Sequence, residues 1–590
     1  MAGSKRKLSV QECDAILTAK GSVLEMEELN IHGRTVRTWK RCPATFPSFF
    51  LDSLAKYSSR TFLSSPTDGG RDRERVTFAE VLEKSLTLAA WMRTRGLGKG
   101  SRIGIGGMNC TGWIVVFVAT HLIGGITVAI NAWLPVPSIL HCLRTVRPDL
   151  VFVDEERADL LASVRDELAR DGVGEVISWD SPVFNPTATL DQIEEVRAGR
   201  GVEGLSPESD AVIFFSSGTS GPPKAVLSTQ RMALTNLWSG LVAPSRAALR
   251  AGVTVPPLPR ATDPQKTVLL SVPLFHVTGC LSWLMRAFFG GSKMVLMPRW
   301  NTRDAIALIE EEGVTVIGGV PAVVASILQS PDLPKYRSFE TVFYGGAPPS
   351  KELAREVKGR WPKAGLVQGY GLTETNAYVC SIAGQDYVER PASTGPPVPI
   401  CDTKIVHPTT RVELPQGQIG VLLVRGPQVM KLYVNDPAAT AKAIDREGWL
   451  DTGDIACIDA DGFIYIKDRL KDIIIRGGEN ITSADVENAL YAHPAVSEAI
   501  AMGVPDKLLG EKVGVIVALR EGAQADEMEL IDSVKNKLAR HAVPVIIMIQ
   551  HEPLARNVNG KVVKKDMKPA LVAEWEKRGR MDAGKIRSRL

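Results

Sequence analysis

The chain has 590 residues, enough for at least two folded units with sizeable cores, so a small disulfide-stapled scaffold is excluded. Hydrophobic residues make up 44% and charged residues 23%, a balance that excludes a disordered, collagenous or coiled-coil chain. The formal net charge of +4 is too close to neutral to indicate a nucleic-acid partner.

The most apolar stretch of the chain runs from Trp113 to Ile130. Thr120-His121 and Gly124-Gly125 interrupt it, and no basic flanks bracket it. We therefore predict a buried helix that runs into a strand, and no transmembrane segment, with a membrane span as the weaker alternative. The eight cysteines are scattered without metal-ligand spacing, which predicts a reducing compartment and no structural zinc.

The middle of the chain alternates between helical and strand periodicity. The patterns predict helices over 303–313, 321–329 and 350–361, and strands over 314–317 and 341–344. Thr302 precedes the first of these helices. This alternation predicts an α/β protein built from crossover units.

A charged passage with glycines, residues 467–480, predicts a hinge before the last part of the chain. The segment beyond it alternates again, with predicted strands over 499–502, 513–519 and 545–549 and a predicted helix over 528–539.

One stretch has the chemistry of a phosphate-binding loop. Residues 214–224 read Phe-Phe-Ser-Ser-Gly-Thr-Ser-Gly-Pro-Pro-Lys, in which glycines let backbone N–H groups turn towards an anion and Lys224 adds positive charge. It is not a Walker A loop, because only two residues separate Gly218 from Gly221. A strand-like run follows, so we predict that the loop joins two strands, with a plain polar hairpin as the alternative.

Four further motifs accompany this loop in order along the chain. They are Tyr370-Gly371-Leu372-Thr373-Glu374, Gly448-Trp449-Leu450-Asp451-Thr452-Gly453-Asp454, Asp468-Arg469-Leu470-Lys471-Asp472 and Asn559-Gly560-Lys561. Together the five resemble the adenylate-forming superfamily of acyl-CoA synthetases, peptide-synthetase adenylation domains and luciferases. The resemblance implies an α/β fold with a large N-terminal domain of several subdomains and mixed sheets, residues 1–470, and a small mobile α+β C-terminal domain, residues 471–590, with a hinge near Lys471.

The resemblance also assigns roles around ATP. It implies that Thr219, Gly221 and Lys224 grip the β- and γ-phosphates within a loop that also includes Ser216, Ser217, Gly218 and Ser220. Thr373 is expected to bond the α-phosphate, and Glu374 to hold a magnesium ion, for which a carboxylate beside phosphate oxygens is a suitable ligand set.

The nucleoside part of ATP has its own set of expected ligands. Adenine is expected beside Gly345-Gly346-Ala347 and the ring of Tyr370, with the Gly371 backbone next to it. Asp454 resembles the acid that accepts both ribose hydroxyls, since a carboxylate has two acceptor oxygens for a diol. Arg469 resembles the base that contacts the same sugar.

Catalysis in the family uses a lysine of the small domain, which Lys561 matches. Its ammonium group can neutralise charge that builds up on the carboxylate and the α-phosphate during adenylation. In the family the small domain then rotates about the hinge position, here Lys471. That rotation presents the segment containing Gly477 and Gly478 to the pantetheine arm of coenzyme A.

The acyl pocket is expected to begin near His276, which resembles a gating position of the family; a purely structural histidine is the alternative. Trp283, Gly319 and Val320 are expected walls, together with the Gly371-Leu372 backbone. No charged residue is obvious among them, which favours a fatty or aryl acid over an amino acid.

The resemblance therefore implies an ATP-dependent acyl-CoA ligase that uses ATP, Mg²⁺ and coenzyme A on a carboxylic acid, with a medium- or long-chain fatty acid favoured. One alternative is an enzyme that loads a carrier-protein phosphopantetheine for secondary metabolism. Another, from a different class, is an inactive nucleotide-binding scaffold. The intact set of motif residues argues against the scaffold.

The last 35 residues, 556–590, carry 11 Lys or Arg against 4 Asp or Glu, which suits a phosphate-rich partner such as coenzyme A. The chain ends in Ser588-Arg589-Leu590, similar to the Ser-Lys-Leu address read by the peroxisomal import receptor. The sequence thus predicts a peroxisomal location, and otherwise a cytoplasmic one.

Overall fold

The computed structural model describes residues 7–31, 33–67, 72–181, 184–216, 222–333, 339–347, 349, 352–477, 479–556 and 562–587. Within these ranges the α-helices are α1 (Val10–Leu17), α2 (Phe46–Lys56), α3 (Phe78–Thr94), α4 (Thr111–Leu122), α5 (Val136–Val146), α6 (Glu155–Ala162), α7 (Arg165–Arg170), α8 (Leu190–Arg197), α9 (Gln230–Arg250), α10 (Met285–Gly290), α11 (Thr302–Glu311), α12 (Pro321–Gln329), α13 (Leu353–Arg360), α14 (Gly384–Glu389), α15 (Pro437–Ala443), α16 (Ser483–Tyr491), α17 (Glu527–Lys535) and α18 (Lys564–Arg587).

The strands within the same ranges are β1 (Met26–Ile31), β2 (Arg34–Trp39), β3 (Thr61–Pro66), β4 (Arg73–Thr77), β5 (Arg102–Gly106), β6 (Ile126–Ile130), β7 (Leu150–Val153), β8 (Glu175–Ser178), β9 (Asp210–Ser216), β10 (Lys224–Thr229), β11 (Thr267–Leu270), β12 (Lys293–Leu296), β13 (Val316–Gly319), β14 (Thr341–Gly345), β15 (Gly365–Tyr370), β16 (Cys380–Ala383), β17 (Asp402–Val406), β18 (Gly420–Arg425), β19 (Leu432–Tyr433), β20 (Leu450–Ile458), β21 (Ile464–Arg469), β22 (Ile474–Arg476), β23 (Glu479–Ile481), β24 (Val496–Asp506), β25 (Gly510–Leu519) and β26 (Ile546–Gln550).

Two large mixed sheets form the body of the N-terminal part. One has the strand order β19-β10-β9-β6-β5-β7-β8, and the other has the order β16-β15-β14-β13-β11-β12-β3-β4. The central pairs of both sheets are parallel, and antiparallel strands lie at the edges, for example β10 beside β9 and β16 beside β15. Parallel central strands are buried on both faces, as the fully buried β6 shows. The predicted α/β class is confirmed.

The crossover elements are close to their predicted positions. Helix α12 has the predicted bounds, whereas the strand predicted over 314–317 lies two residues later, as β13. The reason is local: the Val314 N–H donates to the Ile309 carbonyl and so closes the end of α11 before the strand begins. Helix α11 itself starts one residue earlier than predicted, because the Asn301 side chain caps the amide of Asp304.

The apolar stretch from Trp113 to Ile130 forms α4 followed by β6, as predicted. Both elements are almost entirely buried, so their apolar residues are explained by the protein core. Among the described residues, no helix combines the length and hydropathy needed to cross a bilayer.

The chain divides into two compact units. The larger comprises Met1–Thr403, Val424–Leu450 and Asp461–Phe463, and the smaller comprises Lys404–Leu423, Asp451–Ala460 and Ile464–Leu590. A four-stranded sheet has the order β17-β18-β20-β21. The division into 1–470 and 471–590 stays a prediction.

The last part of the chain builds a sheet in the order β23-β22-β25-β24, with β26 paired to β25. The strands predicted over 499–502 and 513–519 lie within β24 and β25, and the strand predicted over 545–549 is found one residue later, as β26. The helix predicted over 528–539 ends earlier, at Lys535, where a short turn takes over: the amides of Lys537 and Leu538 both donate to the Val534 carbonyl. Helices α16 and α17 pack on this sheet around Val486, Leu490 and Leu530, so the smaller α+β part has a core of its own.

Candidate active site

The phosphate loop joins two antiparallel strands, as predicted. Ser216 ends β9 and is paired across the ladder with Lys224, which starts β10. The loop residues Ser217, Gly218, Thr219, Ser220 and Gly221 lie outside the described residues. The ammonium group of Lys224 is exposed and lies 4.9 Å from the ring centre of Tyr433, within cation–π range.

Tyr433 connects this lysine to Glu374. Its hydroxyl donates a hydrogen bond of 2.8 Å to Oε1 of Glu374. Burial raises the pKa of Tyr433 well above its ordinary value, and the nearby Glu374 charge raises it further. The phenol therefore stays protonated at neutral pH and remains a donor to the carboxylate.

Glu374 suits the role of a magnesium ligand. Among the described residues none hydrogen-bonds its second oxygen, Oε2, while Oε1 is fixed by Tyr433. An oriented carboxylate with one open oxygen is the ligand type that Mg²⁺ prefers. The residues present therefore fit the ion, and the role itself stays a prediction.

The turn that presents Thr373 and Glu374 is anchored to the strand after the phosphate loop. Thr373–Thr375 form a single 3₁₀ turn, after which Asn376 takes the left-handed conformation with φ 50°. The Asn376 side-chain amide donates to Ser228 Oγ at 2.8 Å and to the Gln428 carbonyl at 3.0 Å. Ser228 belongs to β10, so one buried side chain couples the Thr-Glu turn to the strand that Lys224 begins.

Glycine is required at position 371 of the same motif. A Cβ atom there would lie 1.3 Å from the Ala377 carbonyl oxygen, which no side chain allows. The motif Tyr-Gly-Leu-Thr-Glu is therefore partly a packing requirement of this tight turn.

The expected adenine-binding residues lie where neighbouring parallel strands end. Gly345 at the end of β14 is paired with Gly369, one residue before Tyr370 at the end of β15. Gly346 follows with φ 77°, a conformation that favours glycine, and Ala347 comes next. The structure thus brings both parts of the expected slot to the carboxyl edge of one sheet, where ligands commonly bind in open α/β folds.

An aromatic wall, defined as Trp283, Phe343 and Tyr378, lies in the same unit. The Trp283 and Phe343 rings meet edge to face with centroids 5.3 Å apart, and the Phe343 and Tyr378 centroids are 6.3 Å apart. Strand glycines make room for it: a Cβ on Gly318 would lie 2.9 Å from Trp283, and one on Gly369 would lie 2.6 Å from Tyr378.

His276 lies just before the π-helical turn Thr278–Leu284 that carries Trp283. Its Nδ1 accepts a 3.3 Å hydrogen bond from the Thr278 amide. The other expected walls, Gly319 and Val320, end β13 and cap α12, respectively. One charged residue here has no signal in the sequence. Arg286, one helical turn after Ser282, lies against Tyr378.

In the smaller unit the structure brings Asp454 and Arg469 together. They are direct neighbours across the β20–β21 ladder, and Arg469 Nε lies 2.7 Å from Asp454 Oδ1. Asp454 is buried and its amide donates to Thr452 Oγ1, whose hydroxyl in turn donates to the Leu422 carbonyl. The carboxylate is therefore held in one orientation, and its ribose role stays a prediction.

Lys471 follows this pair at the predicted hinge. Partial burial lowers the pKa of its ammonium group; the Asp472 and Asp454 charges oppose this change, and the Arg469 and Lys564 charges add to it. Gly477 has φ 59° and donates its amide to the Leu509 carbonyl. Gly478 and Lys561 lie outside the described residues, as do Ser588, Arg589 and Leu590.

Comparison with known proteins agrees with this geometry. Residues 50–434 match the family model described as AMP-binding enzyme, and residues 485–561 match the model described as AMP-binding enzyme C-terminal domain. The chain therefore belongs to the AMP-binding enzyme family.

Named relatives refine the class. A long-chain-fatty-acid–CoA ligase of Bacillus subtilis (strain 168) is 31% identical over 553 residues, which cover 88% of this chain and 93% of the relative. A 4-coumarate–CoA ligase 3 of Oryza sativa subsp. japonica is 30% identical over 518 residues, covering 85% and 89%. The crystal structure of ATP-bound MatB from Rhodopseudomonas palustris matches with a TM-score of 0.74 at 25% identity, covering 89% of this chain and 99% of that one. The protein is an enzyme of the AMP-forming acid–thiol ligase class, and the predicted family is confirmed.

Proposed function

We propose that the protein activates an acid with an apolar body, a medium- or long-chain fatty acid in preference to an aryl acid, and joins it to coenzyme A. The acid carboxylate attacks the α-phosphorus of ATP, forming an acyl adenylate and releasing pyrophosphate. The coenzyme A thiol then attacks the acyl carbon, forming the thioester and releasing AMP.

The observation that carries the choice of acid is the aromatic wall. Trp283, Phe343 and Tyr378 form a contiguous apolar cluster, each less than a tenth exposed, in the unit that also holds Glu374 and Lys224. Burying an acyl chain against such a surface contributes about 25 cal/mol per Å² removed from water. The similarity to a fatty-acid ligase and to a 4-coumarate ligase supports both classes of apolar acid.

In this proposal the chain's own residues mainly position the reactants and neutralise their negative charge. Lys224 faces the outgoing phosphates, Thr373 donates to the α-phosphate, and Lys561 approaches the attacking carboxylate. Glu374, oriented by Tyr433, would hold Mg²⁺ together with the phosphates. When bound, the ion reduces the repulsion between the two anionic reactants.

The proposal is tested with the purified full-length protein, MgATP, and fatty acids of increasing length alongside cinnamic and benzoic acids. Pyrophosphate release and acyl-CoA formation, the latter by mass spectrometry, are measured with and without coenzyme A. We expect acyl-CoA, with a higher kcat/KM for a fatty acid than for either aryl acid. An adenylate that accumulates and ignores coenzyme A would move the acceptor to a carrier protein, and no pyrophosphate release with any acid would overturn the proposal.

A further inference from the structure

A positively charged side chain, Arg286, lies next to Tyr378 at one end of the aromatic wall. Arg286 lies in α10, and its Nη1 donates to the Gly240 carbonyl of α9 at 3.3 Å. Its guanidinium group also interacts with the Tyr378 hydroxyl, and Ser282 hydrogen-bonds the same hydroxyl. Arg286 is partly buried, and Tyr378 is only 4% exposed.

The partners of this guanidinium among the described residues are all uncharged. Within the part of the chain that the structure describes, no Asp or Glu oxygen lies within 4.0 Å of Arg286, whereas arginines elsewhere in the unit, such as Arg246 and Arg250, each have a carboxylate at 2.6 Å. A partly desolvated guanidinium that meets only a carbonyl and hydroxyl groups keeps an uncompensated positive charge. Such a charge attracts an anion, and a carboxylate matches the guanidinium fork in shape.

The residue of α9 that faces this guanidinium group is a glycine, which has no side chain. Gly240 faces Arg286, and a Cβ there would lie 3.0 Å from Nη1 and 3.5 Å from the Tyr378 ring. A Cβ at position 240 would require the guanidinium group to shift by a few tenths of an ångström. The arginine is therefore accommodated by a glycine of α9, in a helix that is otherwise mostly buried.

We propose that Arg286 determines substrate specificity by binding a second carboxylate at the far end of the acyl chain, so that the preferred substrates are dicarboxylic acids. The inference rests on the proposed function, because it places the apolar body of the acid along the aromatic wall. The reacting carboxylate is then the one near Thr373, and the other pairs with Arg286 beside Tyr378. An apolar wall that ends in a cation suits such a molecule better than a plain fatty acid.

The test compares hexanoic with hexanedioic acid and dodecanoic with dodecanedioic acid, using pyrophosphate release and acyl-CoA formation. Wild type is expected to favour the diacid in at least one pair by about tenfold in kcat/KM. Arg286→Met should abolish that preference, mainly by raising KM of the diacid and with a much smaller effect on the monoacid, and Arg286→Lys should retain part of it. Arg299→Met, which removes an exposed arginine, is the matched control and should leave the preference unchanged.

The outcomes separate the two proposals. If wild type prefers the monoacid in both pairs, or if Arg286→Met slows both acids equally, the role of Arg286 is overturned while the ligase activity stands. If no acid of any kind releases pyrophosphate, the proposed function fails and this inference fails with it. Arg286→Gln provides a second neutral variant should the methionine variant melt at lower temperature than wild type.

Discussion

At the scale of single residues, the hydrogen bond from Tyr433 to Glu374 is the most specific contact of the candidate site. We expect Tyr433→Phe to weaken the apparent Mg²⁺ affinity of adenylation by about tenfold, because a carboxylate that loses its orienting donor holds a metal less well. The variant should also bind MgATP more weakly in calorimetric titrations, while binding of ATP in EDTA changes little.

The control for that variant is Tyr57→Phe. The Tyr57 hydroxyl is also hydrogen-bonded in a buried setting of the larger unit, but to the Phe289 carbonyl. Tyr57→Phe should therefore leave the Mg²⁺ dependence of adenylation unchanged. An identical Mg²⁺ dependence of wild type and Tyr433→Phe would show that Tyr433 does not orient a metal ligand.

His121 makes stability depend on pH. Burial lowers the pKa of this imidazole to about 3, and its ring stacks on Phe46 with centroids 4.1 Å apart. The unfolded chain binds a proton at His121 below about pH 6.5, whereas the folded chain does not until about pH 3. The contribution of the neutral His121 to the free energy of unfolding is therefore complete above about pH 6.5 and is lost as the pH falls towards 3.

We expect proton binding at His121 in the unfolded chain to lower the free energy of unfolding by about 2 kcal/mol between pH 7 and pH 5. His121→Gln should accordingly reduce the difference between the melting temperatures at the two pH values. His407→Gln, which changes an exposed histidine, should leave that difference unchanged. If His121→Gln has the same melting-temperature difference as wild type, His121 is not the responsible group.

At the scale of elements, a cluster of charges joins the start of α18 to α16 and the end of β21. Lys564 Nζ lies 2.8 Å from Glu487 Oε1 and is hydrogen-bonded to Ser483, whose amide donates to Asp468 Oδ2. Burial acts to lower the pKa of Lys564, but Glu487 and Asp468 outweigh it and the pKa is raised. The cluster lies only three residues after Lys561 in sequence.

Glu487→Gln should leave the Lys564 charge poorly compensated and so loosen this region. We expect amide hydrogen exchange in peptides covering 483–506 and 562–575 to accelerate by about tenfold or more. The double variant Glu487→Gln/Lys564→Met should recover part of the protection, because it removes the stranded charge. The control is Lys577→Met, which breaks only a more exposed ion pair with Glu574 and should change the exchange rates little. If Glu487→Gln accelerates exchange no more than this control, the charge cluster does not stabilise this region.

Elements with a strong local signal were predictable. The strand-loop-strand around Lys224, helix α12 and the α4–β6 pair follow from periodicity and from proline and glycine positions, which act over a few residues. The contacts that organise the site were not predictable in this way. Asn376 bonds Ser228 across 148 positions of sequence, and the pairing of Tyr433 with Glu374 spans 59. Arg286 likewise acquires its neighbours only when α9 and α10 pack together.

At the scale of the whole molecule, the residues predicted to take part in the reaction fall in both units of the chain. Lys224, Thr373 and Glu374 belong to the larger unit, and Asp454 and Lys561 to the smaller one. The resemblance described above implies two half-reactions, with Lys561 needed only for the first. The two steps should therefore be separable in one chain by a single substitution.

We expect Lys561→Ala to slow adenylation, measured as pyrophosphate release, by about a hundredfold or more, because a charge placed at the transition state is lost. The same variant should convert a supplied acyl adenylate and coenzyme A into acyl-CoA at close to the wild-type rate. Lys565→Ala, an exposed lysine of the same basic segment, should leave both steps unchanged. Equal loss of both steps in Lys561→Ala would mean that Lys561 supports the structure of the smaller unit, and an unchanged first step would remove it from the mechanism.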